Sequence, residues 1–476
     1  MNLSLVGSNH SKVHLLLIAL AVAILTYLLI STLLDIFRAV RSPLQKIPGP
    51  WYAPLTTFHL RYLFSTGEIW KLVQRSHAKY GPICRLGPRH IWVSDKESLK
   101  QILSTINLPK VAIRFHPHKR LKRFLSPAFT VAYVDNLEAV FKGVMRDLLQ
   151  NYVMLLGENA STAEGVQTDL MDDLHKAALD MYDPMHPLWM HCLQVVGSQY
   201  VYIKRFLRRI GFNVEFDWPK QMIMAIDSIV LQRSHEKQHS SDLLQHLIEN
   251  GKRPDNEETM NSRDILDQMS EILLAGSETT SGTIACLFLE LARNPRVRDR
   301  LLSSLPAIRH DDVENIIVSK TVRDSADYQY LEACIKENLR LHPIASEMGR
   351  RTGDQWINLM GYDLPPHTVV SASYRDLHRN EKYWPDALSF IPERWLPDNE
   401  RGEYPAADTT AYFPFSAGRH SCIGINFAWA EMRMIAANLL TRYDITEVQG
   451  QIVDFRQFIT MQFHTGHWNV ILQKRK

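Results

Sequence analysis

Apolar positions along the 476-residue chain follow three different patterns. Residues 15–34 form an unbroken uncharged run, LLLIALAVAILTYLLISTLL. At 1.5 Å per residue such a helix is about 30 Å long, the thickness of a membrane hydrocarbon core. Farther on, apolar residues recur at helical spacing over Leu137–Leu156, Trp218–Leu231, Ser241–Glu249, Ile265–Ala292 and Tyr330–Leu341. Short alternating pieces at Ile83–Leu86 and His90–Val93 read as strands of a small sheet. From Asp444 to Lys474 the pattern alternates again, with Gly450 and Gly466 at turns. The fold class this predicts is mainly α with minor β, preceded by a single N-terminal transmembrane helix.

The ends of the apolar run refine that expectation. A cleaved signal peptide usually has a shorter apolar region followed by small residues at a cleavage site, and that signature is missing here. Lys12 is the only strong base before the run, whereas Arg38, Arg41 and Lys46 follow closely, so the positive-inside bias puts the body in the cytoplasm. Ile47-Pro48-Gly49-Pro50 reads as a stiff non-helical spacer. The expected organisation is an anchor over 1–36, a basic and Pro-rich hinge over 37–50, and one domain over 51–476. No Ser/Gly/Pro linker, low-complexity tract or internal repeat divides that domain.

Charge and cysteine usage exclude several classes. A net charge of +3 without a Lys/Arg stripe gives no warrant for nucleic-acid binding. The five cysteines, Cys84, Cys192, Cys286, Cys334 and Cys422, form no C-x-x-C pair, which argues against structural zinc or a disulfide framework. Neither G-x-G-x-x-G nor a Walker motif is present, so no built-in nucleotide site is expected.

Three segments carry candidate chemistry. Ala275-Gly276-Ser277-Glu278-Thr279-Thr280 places a carboxylate and hydroxyls in the middle of a strongly apolar helix. A buried charge is costly unless paired or wetted, so the segment is either a packed kink or a cavity wall that handles protons. Glu337 and Arg340 are three residues apart on one helix and share a face. Phe415-Ser416-Ala417-Gly418-Arg419-His420-Ser421-Cys422-Ile423-Gly424 ends a glycine-bearing loop just before an apolar helix. Nearby N–H groups and the helix dipole favour a thiolate there; a buried structural cysteine is the alternative.

Taken together, these segments resemble the cytochrome P450 superfamily, in particular its eukaryotic microsomal class. The 415–424 segment is similar to the family's haem-binding loop, and 275–280 to its oxygen-activating segment. Glu337 and Arg340 match its Glu-x-x-Arg pair, with Arg394 of Pro392-Glu393-Arg394-Trp395 as third partner. The apolar leader with Pro48-Gly49-Pro50 is similar to an endoplasmic-reticulum anchor and hinge. Leu377-His378-Arg379-Asn380 and Tyr383-Trp384-Pro385 resemble filamentous-fungal members, many of which serve secondary metabolism.

The resemblance implies a P450 fold over 51–476 and haem b with Cys422 as axial thiolate. It also implies dioxygen and NADPH-derived electrons as co-substrates. Phe415, Gly418 and Ala275 would contact the cofactor, and Gly276, Glu278 and Thr279 would serve oxygen activation. The family usually has Arg where this chain has His420, and its Trp-x-x-x-Arg contact is matched only by His118 and Lys122, with Arg123 adjacent. His420, Lys122 or Arg123, and Arg350 are therefore expected at the haem propionates.

NADPH-cytochrome P450 reductase is the implied partner, with cytochrome b5 as a further donor, at the endoplasmic-reticulum membrane. Apolar candidate lining residues, among them Ile106, Leu108, Ile272, Ile344 and Met461, point to an apolar substrate such as a terpenoid, alkaloid or polyketide. Two other readings are a P450-fold isomerase or dehydratase that uses neither dioxygen nor reductase, and a non-enzymatic membrane adaptor. Relatives of the former kind commonly lose the Glu278–Thr279 pair, which this chain keeps.

Overall fold

The computed structural model describes residues 41–109, 129–158, 165–178, 220–235, 243–251 and 258–475, with isolated helical positions between 26 and 37. Helices dominate, as the periodicity predicts. The longest spans Ser262–Arg293, 32 residues, and will be called the central helix. It starts at a capping box in which the Asn261 side chain accepts from the Asp264 N–H and Asp264 accepts from the Asn261 N–H. Such a box satisfies two otherwise orphaned donors. The other expected helices appear as Glu138–Glu158, Lys220–His235, Leu243–Asn250 and Gln329–Leu341.

A four-stranded sheet pairs Ile83–Gly87, His90–Val93, Val369–Ser373 and Glu347–Arg351, in that order. His90 opposes Val369 in the parallel pair, and Glu347 opposes Ser373 in the antiparallel one. The C-terminal alternation resolves into two units. Tyr443–Glu447 pairs with Asn469–Lys474, while Phe455–Gln457 and Met461–Phe463 form a hairpin. Gly450 and Gly466 both adopt positive φ, as their turns require.

Buried apolar side chains gather into two main cores. One surrounds the central helix, the Gln329–Leu341 helix and the Ile425–Leu440 helix. The other lies on the four-stranded sheet and includes Trp384, Leu377 and Leu103. The Pro-rich segment belongs to the second core: Leu44 and Ile47 are buried, and the Arg85 N–H donates to the Pro48 carbonyl at 2.8 Å.

The expected anchor is corrected. No helix among the described residues is long and apolar enough to cross a membrane, and residues 15–34 lie almost entirely outside the described residues. The transmembrane helix in the fold class falls with it, as do the endoplasmic-reticulum membrane placement and the single-pass topology facing the cytoplasm. Hydropathy measured only how apolar the run is and how far it could reach, and neither establishes a spanning helix.

Candidate active site

The loop before the Ile425–Leu440 helix is shaped by its backbone. Ser416 and Gly418 both have positive φ, 60° and 69°. A Cβ at Gly418 would lie 2.0 Å from the Leu103 carbonyl oxygen, so only glycine permits this approach. The Cys422 N–H donates to the Phe415 carbonyl at 2.9 Å, and the Ser421 N–H to the Gly418 carbonyl at 3.1 Å, folding the loop back on itself. His420 closes the 3-10 turn Gly418–His420, two residues before the cysteine. Cys422 is exposed, whereas Cys84, Cys286 and Cys334 are buried. Burial pushes the thiols of those three up, away from the thiolate form. Among the described residues, Cys422 is the accessible thiol.

Arg350, from the Glu347–Arg351 strand, approaches the same loop. Its Nη2 donates to Ser416 Oγ at 3.3 Å, and Tyr374 Oη donates to that same oxygen at 2.8 Å. Arg350 is fully buried, with Nε and Nη1 lacking partners. Burial lowers its pKa. A buried guanidinium with two unmet nitrogens is costly unless an anion meets it. The carboxylates of a haem supply such anions, so this residue set fits that cofactor. Lys122 and Arg123, the other expected propionate contacts, lie outside the described residues.

On the central helix, Ser277, Thr280 and Ser281 are buried, while Ala275 is exposed and Gly276 and Thr279 are half-buried. Thr279 Oγ1 donates to the Ala275 carbonyl at 2.7 Å, leaving its lone pairs to accept. A Cβ at Gly276 would meet nothing within 4 Å, so the helix has free space there. The Glu278 carboxylate accepts through Oε2 from Gln462 Nε2 at 3.1 Å and Thr460 Oγ1 at 3.3 Å, both on the C-terminal hairpin.

Glu337 and Arg340 are both fully buried and form a bidentate pair at 2.8 and 2.9 Å. Glu337 also accepts from the Ile391 N–H at 3.0 Å, Trp395 Nε1 at 2.9 Å and Arg394 Nε at 3.4 Å. Arg340 donates to the carbonyls of His378, Ala387 and Ser389. Removing one partner of such a buried pair typically costs ~3–5 kcal/mol, because the other is stranded. The pair is a structural brace. Asn338, on the same helix, donates to the Thr283 carbonyl at 2.8 Å and ties the brace to the central helix.

Sequence reasoning missed five contributors: Ser416 as the link to Arg350, Tyr374, Trp395 on Glu337, and Gln462 and Thr460 on Glu278. Each contact joins segments remote in sequence, so even the motifs that contain Ser416 and Trp395 do not reveal their partners.

An accessible cysteine in a glycine-shaped loop, a buried cation beside it, and an open helix wall carrying an acid and an alcohol form a candidate cofactor site. The family model for cytochrome P450 matches residues 200–465. The chain is 28% identical over 467 residues to Cytochrome P450 monooxygenase acrD of Aspergillus aculeatus, covering 89% of each. It is 26% identical over 502 residues to Cytochrome P450 monooxygenase FUS8 of Gibberella fujikuroi, covering 94% of this chain and 92% of that one. To Tryprostatin B 6-hydroxylase of Neosartorya fischeri it is 26% identical over 459 residues, covering 90% and 81%. The chain belongs to the cytochrome P450 family. It is a P450-fold monooxygenase acting on organic substrates, in a family whose chemistry is haem-thiolate and which draws on a redox partner.

Proposed function

We propose that the chain holds haem b through the Cys422 thiolate and oxidises an apolar secondary metabolite with electrons from NADPH-cytochrome P450 reductase. The observation that carries this reading is the meeting of Cys422, the accessible thiol among the described residues, and the buried, half-partnered Arg350 at one loop. When bound, the haem supplies dioxygen activation, for which a thiolate ligand is suited.

The protein's own residues do the remainder. Arg350, with His420, holds the propionates and fixes the cofactor's orientation. Gly276 leaves room against the central helix, and Phe415, Gly418 and Ala275 flank the cofactor. Thr279 Oγ1, already donating to the Ala275 carbonyl, accepts and passes on a proton, and Glu278 exchanges protons with water. The substrate class is supported by the apolar character of Ile272, Ile344 and Met461 and by relatives such as Tryprostatin B 6-hydroxylase. Terpenoids, alkaloids and polyketides all meet that description.

Cys422→Ala decides the central assignment. It should abolish the thiolate signature of the reduced, carbon-monoxide-bound spectrum and most haem retention, because no other described thiol is accessible. Retention of both would place the ligand elsewhere.

A further inference from the structure

The C-terminal hairpin does more than pack. Met461 and Phe463 are buried on one face, while Gln462 between them is half-buried and turns to the other, as strand alternation requires. The hairpin is anchored from several sides. The Met461 N–H donates to the Ile344 carbonyl at 2.8 Å, the Gln457 N–H to the Gly67 carbonyl at 2.8 Å, and Trp70 Nε1 to the Phe455 carbonyl at 3.1 Å. It approaches the central helix at Gly282, where a Cβ would lie 3.4 Å from Ile344 Cδ1 and 4.0 Å from the Met461 carbonyl oxygen. Glu278 is one helical turn before Gly282, on the same face. Gln462 and Thr460 therefore reach Glu278 from an externally fixed support.

The bonding is one-sided. Both donors meet Oε2, and Gln462 Nε2 also lies 3.5 Å from Thr460 Oγ1, so amide and hydroxyl form one small cluster. Oε1 has no hydrogen-bond partner among the described residues. A carboxylate tethered by one oxygen has a fixed orientation and presents the other to water. A free glutamate on a helix would instead sample several rotamers.

We propose that Gln462, supported by Thr460, is a positioning residue that aims Glu278 Oε1 at the water delivering protons to the site. This rests on the reading of Glu278 as a proton-handling residue of a haem-thiolate site. Gln462 acts only through Glu278, by fixing the place and direction of the acid.

The test uses the haem-loaded full chain with NADPH-cytochrome P450 reductase and no added substrate. Releasing hydrogen peroxide consumes one NADPH and one proton per dioxygen. Full reduction to two waters consumes two NADPH and two protons. The ratio of NADPH to dioxygen consumed therefore reports how well the later protons arrive.

Gln462→Leu, which cannot donate, should move the ratio toward one and lower the rate of full reduction about tenfold, the scale of one charge-assisted hydrogen bond. Gln462→Glu keeps the size but donates only while protonated. It should approach the parent ratio at pH about 5 and resemble Gln462→Leu at pH about 8, where two carboxylates repel. A purely structural role would not produce that pH dependence. If the leucine variant loses its thiolate spectrum, the glutamate variant decides.

Hydrogen exchange gives a readout independent of turnover. Amides of 457–463 should exchange faster in both Gln462→Leu and Glu278→Leu, since each removes the same bond. Unchanged protection in either variant overturns the proposal. A shifted ratio in Glu278→Gln with parental ratios in both Gln462 variants overturns it while sparing the reading of Glu278. No shift in Glu278→Gln overturns that reading and the proposal with it.

Discussion

Glu431 sits nine residues beyond Cys422 on the Ile425–Leu440 helix, with its Oε2 buried and unpartnered. Burial pushes its pKa up to about 8, and only the neighbouring Thr280 hydroxyl favours the ionised form. Its unfolded-state value is 4.5, so the folded protein holds this proton across a window where the unfolded chain releases it. Below the lower value the group costs folding nothing. The cost then grows as pH rises from about 5 to about 8, at roughly 1.4 kcal/mol per unit, and levels off above. Glu431→Gln keeps the shape without the charge. It should therefore match the parent near pH 5 and exceed it by several kcal/mol near pH 8, in denaturant unfolding of the haem-loaded protein. Parallel pH curves for the two proteins would contradict this. Glu347, pushed up to about 7 by burial, adds to the same trend in both proteins and so cancels in the comparison. Nothing in the sequence announces Glu431, because a glutamate at helical spacing looks solvent-facing until its neighbours are known. Cys422, Glu278 and Thr279 could be singled out in the sequence because they sit in contiguous motifs.

At the scale of elements, helices were readable and their cross-connections were not. The central helix follows from apolar spacing, and its start from Asn261 and Asp264 once the capping box is seen. The Glu337–Arg340 pair was legible as an i,i+3 pair, and Arg394 came only through the resemblance. Yet Arg394 makes the longest of the contacts to Glu337 at 3.4 Å, while Trp395 and the Ile391 N–H come closer. Contacts depend on how a later loop folds over the helix, which no periodicity encodes. Two glycines show how differently one residue type serves two elements. At Gly418 the backbone is left-handed and a Cβ would overlap the Leu103 carbonyl, whereas at Gly276 the helix is regular and a Cβ meets open space. Gly418→Ala should therefore displace the cysteine loop and sharply lower haem retention. Gly276→Ala should fold at least as well as the parent, with helix propensity contributing up to about 1 kcal/mol. It would act instead on the room beside the helix. Haem content after purification and thermal melts distinguish the two, and equal haem loss in both would refute the contrast.

Across the whole molecule, the site lies where the two cores meet. Trp395 and Tyr412 pack against both, Phe413 and Ala417 against the sheet core, and Phe415 and Trp429 against the helical core. The loop carrying Cys422 thus joins two bodies of packing, with Gly418 pressed to Leu103 on one side and the Ile425–Leu440 helix leaving on the other. The helix-rich class and the order of elements were legible because local element type follows from the apolar spacing. The anchor reading went astray because hydropathy carries no information on partners or conformation. The Glu337–Arg340 brace is satisfied by protein donors and acceptors alone, whereas Arg350 keeps two unmet buried nitrogens. A bound cofactor that meets Arg350 and Cys422 therefore stabilises the junction by mass action but adds little to the brace. Removing haem from the purified protein should raise amide exchange at 412–424 and 344–351 while leaving 329–341 protected, and adding haem back should reverse it. Exchange rising equally in all three segments would mean the brace, too, depends on the cofactor. No change in the first two would mean the cofactor is not held at this loop.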